Sequence, residues 1–168
     1  MAAEDVLKYL NLFVDGRGYA GKIEEYSAPD LTVATEEFRG GGMDVPVDID
    51  MGLEKLTASF VLTSYDADVL ALWGVKSGGS VQFTAKGSLE DQDGTTTAVA
   101  HKMRGKVVGL ARGTWGSGAK PSLTVTVSLT YYKETHGDRD ICEIDAVNMV
   151  RMIDGVDQLA EHRANIGL

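Results

Sequence analysis

The sequence predicts a mainly β protein: an antiparallel β-sandwich or partial barrel with one short internal helix and a short C-terminal helix. Three observations predict it. Residues 123–132 alternate strictly, with Leu123, Val125, Val127, Leu129 and Tyr131 against Thr124, Thr126, Ser128, Thr130 and Tyr132, the period-two signature of a half-buried strand. Residues 56–63, 81–89 and 96–110 show the same kind of pattern. Glycine is in excess, 20 of 168 residues beside only 3 prolines, which suits strands joined by many turns.

Taken in order, residues 9–14 alternate and reach Asp15-Gly16, a hairpin signal that predicts a return over 19–23. Pro29 breaks the chain, and a strand over 31–38 ends at Gly40, Gly41 and Gly42. Pro46 lacks an N–H and disfavours a central strand, while Asp44, Asp48 and Asp50 favour solvent. Residues 40–52 are therefore predicted as an irregular, partner-facing arm. Its interface candidates are Gly40, Gly41, Gly42, Met43, Asp44, Val45, Pro46, Val47 and Asp48. Leu56, Ala58, Phe60 and Leu62 then form one face of a strand. Asp66 caps a helix whose apolar side is Val69, Leu70, Leu72 and Trp73, ended by Gly74. A loop over 77–79 precedes the strand carrying Val81, Phe83 and Ala85, and the polar turn 90–94 leads to residues 96–110. That strand sets Lys102, Arg104 and Lys106 against Val99, His101, Met103 and Val107, with Gly105 and Gly109 as bulge or bend points. A Gly-rich loop containing Trp115 precedes 123–132, and an acidic turn at 137–140 leads to 141–152. The tail, 156–165, reads as an amphipathic helix that docks Leu159 and Ile166 on the subunit's own sheet.

Composition narrows function further. Length favours one domain over residues 1–168. The net charge of −9 opposes tight nucleic-acid binding, which needs clustered Lys and Arg. The single cysteine, Cys142, forms no internal disulfide and reads as a small buried filler, suiting a reducing compartment. Glu4 and Asp5 stand where a secretion signal carries positive charge, and no apolar stretch approaches a membrane span.

Chemistry is not signalled. The run from Asp48 to Gly52 starts like a calcium loop, yet Gly52 and Ser59 occupy positions that need ligands. His101, His136 and His162 have no metal-ligand spacing, and nucleophile-elbow and phosphate-cradle motifs are missing. The expectation is a non-enzyme without cofactor, metal or membrane anchor. The row Lys102, Arg104, Lys106 reads as a solvated face or one side of a subunit contact.

As a string, the chain resembles the major tail tube proteins of contractile-tailed bacteriophages and related R-type bacteriocins. The matching pieces are Asn11-Leu12-Phe13-Val14-Asp15-Gly16, Phe38-Arg39-Gly40-Gly41-Gly42-Met43, Asp50-Met51-Gly52-Leu53-Glu54 and Met103-Arg104-Gly105. They continue with Tyr131-Tyr132-Lys133, Glu143-Ile144-Asp145, Asn148-Met149, Asp154-Gly155-Val156-Asp157 and Arg163-Ala164-Asn165-Ile166-Gly167-Leu168. Order and spacing agree over nearly the whole length.

The resemblance implies hexameric rings stacked into a tube, with strands of all subunits joining a ring-wide barrel. It also implies a sheath around the tube, a baseplate and a tail terminator at its ends, and DNA, or ions in a headless particle, passing through. Such a protein belongs to a virion tail and is assembled in the bacterial host cytoplasm. A wet bore needs the polar face of 123–132, so Thr124, Thr126, Ser128 and Thr130 are the lumen-facing candidates. A bore lined by Thr, Ser, Gln and acids would repel phosphates and let DNA slide without sequence-specific binding. Two alternatives stand beside this: a type VI secretion tube component, or a β-sandwich binding module using Trp115 as an aromatic platform.

Overall fold

The computed structural model describes residues 4–76 and 78–168. Ser77, which opens the loop expected over 77–79, lies outside the described residues. The chain runs β1 (Val6–Val14), β2 (Arg17–Gly18), β3 (Ile23–Ser27), β4 (Val33–Phe38), β5 (Val47–Leu53), β6 (Thr57–Leu62) and α1 (Ala67–Leu70). It continues through β7 (Val81–Glu90), β8 (Thr96–Ala111), β9 (Leu123–His136), β10 (Arg139–Asp145), β11 (Val150–Ile153), β12 (Val156–Asp157) and α2 (Ala160–Ile166). Among the described residues no helix is long and apolar enough to cross a membrane.

All pairings are antiparallel, and β9 is their centre. One edge of β9 pairs with β8 along almost its whole length. The other edge is divided: Leu123 to Ser128 pair with β6, and Tyr131 to His136 pair with β10. Thr130 sits at the division, where the register with β8 jumps from Gly105–Leu129 to Arg104–Tyr131. Its hydroxyl donates to the Arg104 carbonyl at 3.3 Å. This bulge flips the alternation. Leu123, Val125, Val127 and Leu129 are buried as predicted, but beyond Thr130 the buried residue is Tyr132 and not Tyr131. An extra residue in one strand reverses which side chains face the core.

The sheet curls into a partial barrel. In a flat sheet β6 and β7, separated by β9 and β8, would lie roughly 14 Å apart. Yet the rings of Phe60 and Phe83 are 5.9 Å apart. Tyr26 on β3 closes the same gap lower down, its hydroxyl 3.1 Å from Nδ1 of His101 and 3.3 Å from Sδ of Met103 on β8. Leu12, Leu62, Phe83, Val107, Leu123, Val125 and Val127 fill the enclosed space. Each such fully buried side chain contributes about 1.5–3 kcal/mol. Asp66 caps α1 by accepting from the N–H groups of Asp68 and Val69, and Val69 is the helix's one buried residue. Trp73, predicted on that apolar side, is exposed.

Three further expectations need correction, and one stretch without a predicted element is now assigned. After the Asp15-Gly16 turn the return strand is only β2; the chain then turns, with Tyr19 buried, and β3 pairs with β6. The local turn signal is real, but Ile23 and Tyr26 gain more by joining the far edge of the curled sheet. The arm is not irregular throughout, because residues 47–53 form β5 and pair with β4 as a separate two-stranded sheet. Pro46 precedes that strand and so costs no ladder bond. Residues 141–152 form two strands around a turn, in which Asp145 accepts from the N–H groups of Val147 and Asn148. The tail helix is shorter than predicted: Val156 and Asp157 pair with β11, and α2 buries no residue. Ile166 is exposed, Leu159 is half-buried, and the helix is held by Arg163 donating to the Met149 carbonyl at 2.7 Å. Asp157 also pairs with Arg163. Cys142 is buried as predicted, and burial pushes its thiol up from the ordinary range.

Gly105 is required by close approach, because a Cβ there would lie 2.3 Å from the Ser128 carbonyl oxygen. Gly105→Ala is expected to destabilise the monomer by about 1–3 kcal/mol or more. Gly109→Ala, whose Cβ would meet Thr126 at 3.4 Å, is expected to cost under about 1 kcal/mol. Urea titration of both variants checks the contrast.

The polar closure predicts acid sensitivity. Burial lowers the His101 pKa, with Glu134 opposing and His136 reinforcing the shift. The folded state therefore binds fewer protons than the unfolded one just below the ordinary histidine pKa of about 6.5. Stability is full above that value and is lost as pH falls through the folded pKa. His101→Gln should flatten the fall in melting temperature as pH drops below the ordinary histidine pKa of about 6.5.

Candidate assembly surfaces

Two surfaces follow from the divided edge of β9. The first is the arm. β4 and β5 leave the barrel just before β6, and the pairing Phe38–Val47, Glu37–Asp48, Glu36–Ile49, Thr35–Asp50 carries the hairpin outwards. At its base Gly52, with φ +101°, forms a bulge. Its N–H donates to Asp50 at 2.7 Å, and Arg151 of β11 reaches the same carboxylate at 2.9 Å. Those donors hold the Asp50 carboxyl below the usual carboxylate range, the Gly52 N–H most strongly. The run that starts like a calcium loop is thus a strand whose Asp50 is committed to an arginine.

The interface candidates Gly40, Gly41, Gly42, Met43, Asp44, Val45 and Pro46 form the tip, with Val47 and Asp48 opening β5. Arg39 braces the tip by donating to the carbonyls of Met43 and Asp44 at 3.2 and 3.3 Å. Phe38, Val45, Val47, Ile49 and Met51 are all exposed large apolar residues. Such an accumulation on one projecting hairpin marks an interaction surface. Glu37 and Asp48 face each other directly, an unfavourable like-charge pair in an isolated hairpin. Sequence reading found the tip but missed the apolar strand pair behind it, because Val47, Ile49 and Met51 are interleaved with acids as in any wet loop.

The second surface is the polar face of the main sheet. Thr124, Thr126 and Ser128 stand opposite the buried valines and are in register with Val61, Ser59 and Thr57 of β6. On their β8 side the partners are Ala111, Gly109 and Lys106. Thr130, being bulged, leaves this row. The next rungs carry Arg104, paired with Asp145 at 3.6 Å and lying over the Tyr131 ring, and Lys102 opposite Lys133. Lys133 is neutralised by Asp140 and Glu143 at 2.7 and 3.6 Å. The lumen candidates thus neighbour charges of both signs, Lys106 of β8 on one side and, across Val61, Glu25 of β3 on the other.

Between the start of β6 and the end of β10, where β9 changes partner, lies a groove of about 570 Å³. Leu53, Leu56, Leu129, Ile144, Met149 and Leu159 line it, and its charged side chains are of both signs, Lys55 and Arg151 beside Asp50, Glu54 and Asp145. Trp115 is exposed and lies 5.9 Å from the Tyr65 ring in a separate loop depression.

A curled antiparallel sheet with a projecting apolar hairpin defines a structural subunit built for contacts with other chains. Residues 4–167 match the sequence profile of the family described as phage tail tube protein FII. The chain belongs to that family, whose members are structural tail proteins and not enzymes. It is similar to the tail tube protein of Escherichia phage P2, 33% identical over 172 residues and covering 100% of both chains. It is also similar to the major tail tube protein of Serratia phage KSP20, 30% identical over 92% of this chain and 91% of that one. The fold is shared with a chain from the sheath–tube complex of an extracellular contractile injection system in its extended state. That likeness has a TM-score of 0.58 at 11% identity and covers 75% of this chain and 87% of the other.

Proposed function

We propose that the chain polymerises into stacked hexameric rings forming the inner tube of a contractile phage tail, or of a headless phage-like particle. The observation that carries this reading is the arm: five large apolar side chains on a hairpin outside the barrel, with no cover from their own subunit. Family membership supplies the class of assembly. β1 supports a ring-wide barrel, since its outer edge pairs with β2 only at Phe13 and Val14. An unpaired edge of that length invites a strand from a neighbour, and closing the ring removes it. A sheath outside the tube, baseplate and terminator proteins at its ends, and assembly in the bacterial host cytoplasm follow from the same reading.

The bore is assigned to the face of Thr124, Thr126, Ser128 and the displaced Thr130. Val125 and Val127 on the other side are fully buried in the subunit and unavailable to a channel. DNA passing through meets short hydroxyls flanked by Lys106 and makes no sequence-specific contacts.

Electron microscopy of the purified protein tests the assembly: hollow tubes are expected, and a protein that stays monomeric at high concentration overturns it. Phe38→Ser with Val47→Ser should leave the melting temperature within a few degrees of the parent while abolishing tubes, because both side chains are exposed in the monomer. For the bore, Thr126→Leu with Ser128→Leu should fold and form tubes but release DNA poorly when carried in the phage. A tube reconstruction with Thr126 outside the channel overturns that assignment.

A further inference from the structure

The chain carries three Asp-Gly pairs, Asp15-Gly16, Asp93-Gly94 and Asp154-Gly155, and no Asn-Gly. The amide nitrogen of a glycine can attack the side-chain carboxyl of the aspartate before it, because no Cβ hinders the approach. The attack needs a free carboxyl group and a free N–H. We infer that Asp15-Gly16 is the site at which this chain rearranges spontaneously to isoaspartate, and that the fold protects the other two pairs. The chemistry is the chain's own and needs no assembly.

Two of the pairs form a matched comparison. Asp15-Gly16 and Asp154-Gly155 each close a two-residue hairpin, between Val14 and Arg17 and between Ile153 and Val156. Their backbones nearly coincide: φ is +49° at both aspartates and +81° and +78° at the two glycines, as in a type I′ turn. They differ at the carboxylate. Arg139 donates two hydrogen bonds to Asp154, at 2.9 and 2.8 Å, and holds that carboxyl below the usual carboxylate range. Asp15 is exposed, and its side chain has no hydrogen-bond or ionic partner among the described residues. Arg17, two residues on, is turned onto Asp68. Nothing lies within 4 Å of where a Gly16 Cβ would stand, so this turn has room to move.

Asp93-Gly94 is protected at both groups. The Gly94 N–H donates to the Asp91 carbonyl at 3.0 Å, and the Asp93 carboxylate accepts from the Thr95 N–H at 2.9 Å. A donor on a carboxylate favours its charged form, whereas ring closure proceeds through the neutral acid.

The step balances without a co-reactant. The Gly16 nitrogen bonds to Cγ of Asp15, and the carboxyl hydroxyl leaves with the amide proton as water. The five-membered imide then takes back one water. Opening at Cγ restores aspartate; opening at the α-carbonyl leaves Gly16 joined through Cγ, with one more carbon in the backbone. A two-residue turn has no slack for that carbon. The Val14–Arg17 pairing and the bond from the Asp15 N–H to the Gln82 carbonyl, at 2.8 Å, are the contacts it displaces.

The test is to age the purified protein in buffer where circular dichroism shows it folded. Isoaspartate is then labelled with isoaspartate methyltransferase and radioactive S-adenosylmethionine, and the label is located by peptide mapping. Folded protein should carry its label on the peptide holding Asp15, and protein aged in denaturant at the same pH should carry it at all three pairs. Equal labelling in the folded protein, or label chiefly at Asp93 or Asp154, overturns the inference. So does a denatured sample labelled only at Asp15, since local sequence would then select the site. Arg139→Ala removes an exposed ion pair, so it should leave the melting temperature close to the parent's. It should raise the label at Asp154 to the level seen at Asp15, and a folded variant without that new label also overturns the inference.

Discussion

The structure depends on how β9 spends its second edge. A strand of 14 residues is longer than β6 can cover, so β6 takes one half and β10 the other. Two branches of the one sheet therefore grow from one strand. The β6 branch curls with β3 towards β8 and closes the barrel, while the β10 branch adds β11 and β12 and carries the tail. Where the two part, neither strand can cover the β9 backbone side by side, and a groove is left. The arm departs from the same point, so the projecting element and the recess have one structural origin.

The division is stabilised locally rather than by a large core. The Leu129 N–H donates to the Leu56 carbonyl at 3.0 Å on one side, and the Ala146 N–H to the Thr130 carbonyl at 2.9 Å on the other. Gly105 lets β8 press against β9 at the bulge, where any Cβ would strike the Ser128 carbonyl. Further along β9, closure is polar: the Tyr132 hydroxyl donates to Glu134, and Glu134 also meets His136 at 2.9 Å. A satisfied, partly buried network specifies one arrangement more sharply than interchangeable apolar contacts. Burial and the nearby Glu134 carboxylate raise the pKa of Tyr132 well above the ordinary tyrosine value.

Much of this was legible in the sequence. The four long alternating strands, the Asp66 cap, the buried Cys142 and the irregularities at Gly105 and Gly109 all appear where local pattern places them. The errors share a cause. Tyr131 and Tyr132 exchange faces because Thr130 bulges, and the bulge answers Arg104 of β8, 26 residues away in sequence. β5 was hidden because its acids alternate with apolar residues that nothing in the monomer buries. Ile166 was predicted to dock because its spacing is helical, yet an arginine to a backbone carbonyl holds α2 instead. Period-two and period-3.6 patterns report faces, and they do not report what, if anything, covers a face. The lumen candidates show the same limit: alternation selected Thr124, Thr126 and Ser128, but only the register shows that Lys106 stands beside them.

The arm poses a problem that its charge distribution addresses. A two-stranded sheet has two open edges, and one that carries exposed Phe, Val and Ile would pair with the same hairpin of another copy. The acids prevent this. Glu36, Glu37 and Asp48 lie along the strands themselves, so arm-to-arm pairing would stack like charges at every second rung. The same charges are neutral or favourable against a surface bearing Lys and Arg. The subunit's net charge is −9, and the arm's one cation, Arg39, is turned onto the carbonyls of Met43 and Asp44 and not onto the opposed acids. The like-charge pair Glu37–Asp48 costs the free hairpin a fraction of about 1 kcal/mol. A partner surface bearing Lys or Arg would remove that penalty, whereas a second arm would add to it.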